Sequence, residues 1–225
     1  MARRPSRRAA LIAPVALSLL LVGCGSDADD ASTPSASTSE SAPASPTSGS
    51  TVAVPADVTL TEPGTELGFG ETATVVHEPD QKRGSVLALT VTGVRQARIK
   101  EFSAYTLDEQ TLASTPYYVD VTVENVGESD LGGAAVPLWA VDERNQLVQA
   151  STFTARFEPC ASTPLPAKFA PGEQVETCLV YLLADAGVLQ AVSFRPTQEV
   201  EAITWTGEVT PAKPVRKQRK RRGRG

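Results

Sequence analysis

The chain has 225 residues, and its 21 Lys and Arg against 26 Asp and Glu give a formal net charge of −5. One His, one Met and three Cys supply few of the imidazole, thioether and thiolate ligands that soft metals require, so copper carriage and His-rich metal sites are not expected. Twelve of the basic residues lie in the first 23 and last 13 positions and all 26 acidic residues lie between them, which predicts an acidic body with basic ends.

The first 23 residues have the pattern of an export signal. Four Arg precede an apolar run at residues 9–22, which is shorter than the roughly 20 residues of a membrane span but suits a signal-peptide core. The run ends in Leu21-Val22-Gly23-Cys24, which matches the bacterial lipobox. We therefore predict a lipoprotein signal peptide over residues 1–23 and a diacylglyceryl anchor on Cys24. The two acyl chains of such an anchor hold a protein stably to a bilayer. The alternative, a structural cysteine in a buried helix, leaves the charged start unexplained.

The export route stays open between two pathways. Arg7 and Arg8 resemble a twin-arginine motif but lack the usual aromatic residue after the pair, so the general secretory route is an equal candidate. Either route predicts a lipid-anchored protein on the outer face of the cytoplasmic membrane.

Residues 24–56 are predicted to form a disordered tether after the lipidated cysteine. Ser, Thr, Ala, Pro and Asp dominate this segment, so it cannot bury enough apolar surface to offset the entropy of ordering. Asp27, Asp29 and Asp30 lie here without the glycine and distal glutamate of a calcium loop, and we interpret them as part of a solvated spacer.

Residues 57–210 show the period-two pattern of β-strands. Val119, Val121 and Val123 alternate with polar residues, as Leu87, Leu89 and Val91 do in an earlier segment. Residues 177–184 are apolar on both faces, which suits a central strand or a strand beneath a layer of loops. Shorter candidate strands occupy residues 72–78, 136–142, 146–152, 189–195 and 202–208.

About eight short strands separated by turn residues predict an all-β fold, an antiparallel immunoglobulin-like two-sheet sandwich. Helix is expected only as a turn or two within residues 99–110.

Four stretches carry a resemblance to a known family: GTELGFGETATV, YYVDVTVENVG, PLWAVDERNQLV and FAPGEQVETCLVYLL. With them, residues 60–208 resemble the immunoglobulin-like, telokin-like domain of actinobacterial and other Gram-positive lipoproteins. The resemblance implies an antiparallel sandwich of seven to nine strands. It implies no reaction.

Cys160 and Cys178 are predicted to form a disulfide. Lipidation of Cys24 removes one of three cysteines, and export places the remaining two in an oxidising compartment. The alternative is two separate buried thiols.

Few residues are candidates for chemistry. His77 is the only histidine, and its place at a strand end suggests a surface residue. Asp142-Glu143 and the pair Glu199 and Glu201 come nearest to the paired carboxylates of glycosidases, although carboxylates in turns and at strand starts usually face solvent. An arrangement of all four carboxylates in one pocket would support an enzyme. Without it, we expect no enzymatic activity.

Trp139 and Trp205 are candidates for stacking against sugars. Each falls within an alternating apolar pattern, so the sequence favours a core position for both. No glycine-rich loop precedes a helix, and no cofactor is expected.

Residues 211–225 are predicted to be a disordered basic tail. Its cations could bind anionic lipid headgroups or anionic wall polymers, whereas export makes nucleic acid an unsuitable partner. The alternative is a solvated tail that folds back loosely on the acidic body. The tail cations are Lys213, Arg216, Lys217, Arg219, Lys220, Arg221, Arg222 and Arg224.

The combined prediction is a membrane-anchored extracytoplasmic lipoprotein whose sandwich is a binding or scaffolding module at the cell envelope. Its expected partners are an envelope protein or an anionic wall or lipid polymer. The alternatives are a wall-directed enzyme, a sugar- or ligand-binding protein, and purely structural association with the wall through the tail.

Overall fold

The computed structural model describes residues 52–214. Its strands are β1 (Glu66–Gly68), β2 (Thr72–Asp80), β3 (Arg83–Gln96), β4 (Thr115–Asn125), β5 (Trp139–Asp142), β6 (Leu147–Gln149), β7 (Gln174–Leu183), β8 (Leu189–Phe194), β9 (Ile203–Thr206) and β10 (Val209–Thr210). A 3₁₀ turn at Ile99–Phe102 and the short helix α1 (Glu109–Leu112) follow β3, where helical turns were predicted. The predicted signal peptide, Cys24, residues 24–51 and the tail beyond Pro214 lie outside the described residues.

Two sheets form the body of the molecule. The first sheet has the order β1-β9-β8-β5-β6. The second has the order β10-β3-β4-β7, with β2 also paired to β3. The prediction of an all-β two-sheet fold is therefore confirmed. Within residues 52–214, no helix is long and apolar enough to cross a bilayer.

The predicted antiparallel pairing holds for both sheets except at two edges. β1 pairs with β9 in parallel, with Glu66 opposite Thr204, and β10 pairs with β3 in parallel, with Val209 opposite Val94. The physical reason is connectivity, because a hairpin forces antiparallel pairing whereas strands far apart in sequence are free to pair either way.

The predicted alternation places the core between the sheets. Val119, Val121 and Val123 of β4 are at most 1% exposed, and they pack with equally buried residues of β3. Trp205 of β9 is fully buried in the same core, and its indole Nε1 donates a hydrogen bond to the Glu71 carbonyl at 2.9 Å.

A second apolar cluster lies on the outer face of the second sheet. Phe102 stacks on Phe157 with ring centroids 4.6 Å apart, and Tyr118 contacts both rings. This outer cluster consists of Ala97, Phe102, Tyr118, Phe157, Cys160 and Val180. It explains why residues 177–184 are apolar on both faces: β7 is an edge strand whose outer face lies beneath loops.

Asn125 fixes the loops that leave the end of β4. This side chain is fully buried, and its Oδ1 accepts a hydrogen bond from the Ser85 hydroxyl at 2.7 Å. Its Nδ2 donates to the carbonyl oxygens of Ser129 and Phe169, each at 2.8 Å. Every polar atom of the amide is thus bonded, so burial carries no unsatisfied group.

Candidate functional site

The disulfide predicted between Cys160 and Cys178 is present, with the two Cα atoms 5.2 Å apart. Cys178 lies in β7 opposite Asp120 of β4, and Cys160 is buried in the outer cluster. The bond therefore fastens the irregular segment before residue 161 directly to the edge of the second sheet.

The segment that follows the disulfide is fixed at both ends. The backbone N–H of Ser162 donates to the Cys178 carbonyl at 2.8 Å, and the Ser162 hydroxyl accepts from the N–H of Val180 at 3.1 Å. Leu165 is buried in the main core, and its N–H donates to the Ala134 carbonyl at 2.8 Å. Residues 161–166 therefore form an ordered loop beside β7 that is fixed at both ends.

The edge of β7 is covered over only part of its length. Besides Ser162, the N–H of Ser151 bonds to the Val180 carbonyl at 2.7 Å, so the outward carbonyl of Cys178 and both outward backbone groups of Val180 are occupied. In an antiparallel strand, alternate residues direct both backbone groups to the same edge. Gln174 and Glu176 therefore also point outward, and among residues 52–214 no hydrogen-bond partner meets their backbone there.

A groove of about 600 Å³ borders this open edge. Val136, Val175 and Leu165 give one side an apolar lining, while Asp120 and Glu176 line the other. The remaining lining residues are Thr92, Val121, Thr122, Ala161, Thr163, Pro164, Pro166, Thr177 and Cys178.

Charge on the polar side of the groove is unevenly compensated. The Arg95 guanidinium lies 3.7 Å from the Asp120 carboxylate and 4.4 Å from the centre of the Tyr118 ring. It also donates to the Pro159 carbonyl at 2.9 Å. Glu176 is exposed, and no Lys or Arg of the described chain forms an ion pair with it. The groove thus offers one free carboxylate beside the open backbone edge.

Asp142 and Glu143 hold two turns together. Asp142 is 2% exposed, and its Oδ1 accepts from the N–H groups of Arg144 at 2.9 Å and Gln146 at 2.7 Å. Burial acts to raise the pKa of Asp142, but these two hydrogen bonds and the Arg144 guanidinium together hold it below its usual value. Glu143 accepts from the backbone N–H of Val188 in the next turn. Both carboxylates serve the turns of the first sheet.

Glu199 and Glu201 lie at the opposite end of that sheet. Asp142 is paired with Leu189 at the start of β8, whereas Glu199 follows Phe194 at its end. Six strand residues at about 3.3 Å each separate the two pairs by roughly 17 Å or more. The structure therefore does not bring the four carboxylates into one pocket.

The prediction that His77 is a plain surface residue is wrong. Alternation along β2 turns its side chain inward with Ala73 and Val75, and within the described chain its buried Nε2 has no hydrogen-bond partner. Burial lowers the pKa of His77 to about 4, although a hydrogen bond to the Ala135 backbone and the charge of Glu78 oppose this shift. Local sequence could not reveal this burial, because the covering residues come from a distant segment.

The two tryptophans differ in burial. Trp205 occupies the predicted core position, but Trp139 lies half-buried on the outer face of the first sheet, opposite Ser193. The core prediction for Trp139 is wrong because β5 turns Ala140 and Asp142 inward, which puts Trp139 on the other face.

Lys213 is exposed at the end of the described chain, while the other tail cations, Cys24, Asp27, Asp29 and Asp30 lie outside residues 52–214. In that part of the chain, no group of three His, Cys, Asp or Glu could hold a metal ion.

Sequence reasoning missed the groove, because it depends on contacts between distant segments. One sequence signal is consistent with the groove: Pro164 and Pro166 flank a buried Leu165 shortly after Cys160, which is typical of a stiff loop.

Compared with known proteins, the chain matches no family model, no curated protein and no solved structure, so the resemblance to lipoproteins with a telokin-like domain stays a prediction.

Proposed function

We propose that this protein is a membrane-anchored lipoprotein whose immunoglobulin-like sandwich binds an extended segment of an envelope protein along the open edge of β7. The observation that supports this most is the uncovered backbone at Gln174 and Glu176, which borders a groove. Addition of a strand to an open edge is a recurrent mode of peptide recognition, in which backbone hydrogen bonds give affinity and side-chain pockets give specificity.

The two linings of the groove define the peptide. Side chains of an added strand alternate between the two faces of the sheet. On the inner face they meet Val175, Val136 and Leu165, and on the outer face they meet Glu176 and Asp120. We therefore expect a segment in which apolar residues alternate with basic or hydroxyl-bearing ones. The role is binding, without a reaction.

The termini set the location in this proposal. Cys24 anchors the protein on the outer face of the cytoplasmic membrane, residues 25–56 space the sandwich from the bilayer, and the basic tail contacts anionic lipid or wall polymer. Cys24→Ala is expected to release the protein into the medium or leave an unprocessed precursor. Normal processing with unchanged membrane retention would refute the anchor.

The peptide site is tested by removing one outward N–H group. Glu176→Pro deletes that donor while leaving the β4–β7 hydrogen bonds in place, because proline is tolerated on strand edges. We would select peptides from a display library on the full chain and measure their affinity for both proteins. The variant is expected to bind at least about ten-fold more weakly, through loss of the hydrogen bond and a steric clash.

Two further variants separate backbone from side-chain recognition. Glu176→Gln keeps the N–H and is expected to weaken only peptides with basic residues. Thr163→Trp fills the groove from the exposed loop without altering β7, so it covers the case in which proline disturbs folding. Selected peptides that bind all three variants as well as the original chain would disprove the site.

A further inference from the structure

The disulfide between Cys160 and Cys178 lies beside the groove. Cys178 is half-buried and lines the groove next to Glu176, whereas Cys160 is 3% exposed within the outer cluster. A dissolved thiol therefore has access to Cys178 from the groove, but not to Cys160. Exposure of this kind distinguishes disulfides that exchange with thiols from those that are inert.

The segment that the disulfide holds is the one that covers β7. Cys160 lies between Ser151 and Ser162 in the chain, and these two serines bond to the outward backbone groups of the strand. The serines are also joined to each other, because the Ser162 hydroxyl donates to the Ser151 carbonyl at 2.6 Å. One covalent bond thus helps to hold every group that covers β7 from Cys178 to Val180.

Ser162 has a strained backbone conformation. Its φ angle of 45° lies in the left-handed region, which a residue with a Cβ adopts at a cost in energy. Strain of this kind persists only where the surrounding structure holds it. Ser162 follows Cys160 by two residues, so loss of the disulfide removes one constraint and lets the segment relax away from the strand.

A cation lies beside the sulfur of Cys178. Nη2 of Arg95 is 3.7 Å from this sulfur and also donates to the Pro159 carbonyl at 2.9 Å. A guanidinium beside a sulfur stabilises the thiolate that reduction produces. The carboxylate of Asp120, 3.7 Å from Arg95, offsets part of this effect. The surroundings of Cys178 thus favour the reduced form more than an apolar site would.

We propose that Cys160 and Cys178 form a redox switch, and that its reduction by a dithiol extends the peptide-binding edge of β7 from Glu176 to Val180. Release of the covering segment frees the outward backbone groups of Cys178 and Val180 for an added strand. The consequence for binding rests on the proposed peptide site, whereas the opening itself does not require a peptide.

The exchange proceeds in two steps. A thiolate of the dithiol attacks the sulfur of Cys178 and forms a mixed disulfide, while Cys160 leaves and takes up a proton. The second sulfur of the dithiol then attacks the first and displaces Cys178 as a thiolate beside Arg95. The dithiol supplies both electrons and leaves as a disulfide. One of its two protons passes to Cys160 and the other to solvent.

Amide hydrogen exchange of the full chain, before and after reduction by dithiothreitol, tests the opening. The N–H of Val180 donates to Ser162 at the covered edge, whereas Tyr181 directs its backbone groups to Tyr117 of β4. Exchange at Val180 is expected to accelerate at least about ten-fold on reduction, while Tyr181 stays protected. Unchanged exchange at Val180, or equal acceleration at both amides, would overturn the switch.

Peptide affinity tests the consequence of opening. Peptides selected on the reduced chain are expected to bind it at least about ten-fold more tightly than the oxidised chain, and to lose this difference when shortened from one end. Equal affinity of every selected peptide for both forms would overturn the extension of the edge. If Val180 opens but Glu176→Pro weakens no selected peptide, the peptide site fails and the switch is supported.

Arg156 provides a matched control for Arg95, because it is an exposed cation of the covering segment that pairs with Glu158. Arg95→Gln is expected to need an at least about three-fold higher ratio of reduced to oxidised dithiothreitol for half reduction, since the Cys178 thiolate loses its cation. Arg156→Gln should leave this ratio unchanged. Equal ratios in both variants would refute the part assigned to Arg95.

Discussion

Tyr117 and Tyr118 are neighbours in β4, but they face two different apolar regions. Tyr117 is 4% exposed in the core between the sheets, and its hydroxyl lies 3.4 Å from the Gly187 carbonyl. Tyr118 is 1% exposed in the outer cluster, where its hydroxyl donates to Glu101 at 3.1 Å. Burial and residue type are matched, so the difference lies in what surrounds each ring.

The surroundings of the two rings differ in how they are held. Residues of strands from both sheets form the core around Tyr117, whereas a 3₁₀ turn and an irregular segment fastened by one disulfide cover Tyr118. A cavity collapses more readily when its walls are loops, so equal burial does not mean equal stabilisation. We expect the outer cluster to open locally while the core stays closed.

Truncating each tyrosine tests this difference directly. Tyr117→Ala is expected to lower the free energy of unfolding by about 4 kcal/mol, and Tyr118→Ala by only about 2 kcal/mol, because the loops relax into the space left behind. Denaturant unfolding of both variants gives the two values. Equal losses would show that the outer cluster is as rigid as the core.

Removal of the disulfide should affect one region and spare the other. Changing Cys160 and Cys178 together to Ala is expected to cost about 3 kcal/mol, the value for closing a loop of this size. Hydrogen exchange should accelerate at the amides of Ser151 and Ser162, which bond to β7, while β4 and β8 stay protected. Acceleration in all strands alike would contradict separate behaviour of the two regions.

Acid should weaken the core through His77. Its pKa of about 4 in the folded chain lies below the ordinary 6.5, so the folded state disfavours protonation. Stability is therefore retained above pH 6.5 and lost progressively as the pH falls towards 4, by about 3 kcal/mol. Unfolding measured across this range for the original chain and for His77→Gln isolates the contribution. The variant should lose less stability, and parallel curves would exclude a buried imidazole.

The smallest expected effect concerns the turn between β7 and β8. Asp185 and Ala186 have φ values of 55° and 56°, and the N–H of Gly187 bonds to the Ala184 carbonyl at 3.0 Å. Glycine relieves the strain of a left-handed alanine, so Ala186→Gly should raise stability by about 1 kcal/mol. Ala184→Gly, outside the left-handed region, is the control and should bring no gain. A gain from both would reject the turn geometry.

The sequence reveals the core better than the outer cluster, and for a physical reason. Period-two alternation identifies residues such as Val119 and Leu89, because a sheet face repeats every second residue. Phe102 and Phe157 lie in segments without a period, so only long-range contact shows that they stack. β1 and β10 have three and two residues, too few for a pattern to develop. The groove cannot be predicted from the sequence for the same reason. The uncovered part of β7 is defined by Ser151 and Ser162, which come from distant segments and cover the rest of the strand edge.

The pairing of β1 with β9 also sets the order in which the molecule can be completed. Glu66 cannot pair until Thr204 has been synthesised, and Val94 cannot pair with β10 until Val209 has been synthesised. Both sheets therefore lack an edge strand until nearly all of residues 52–214 have left the ribosome. Contacts of such long sequence separation fold slowly, because the loop must close before they are gained. A nascent chain therefore cannot complete either of these sheet edges until late in its synthesis, and one that stops before Thr206 exposes strand edges prone to aggregation.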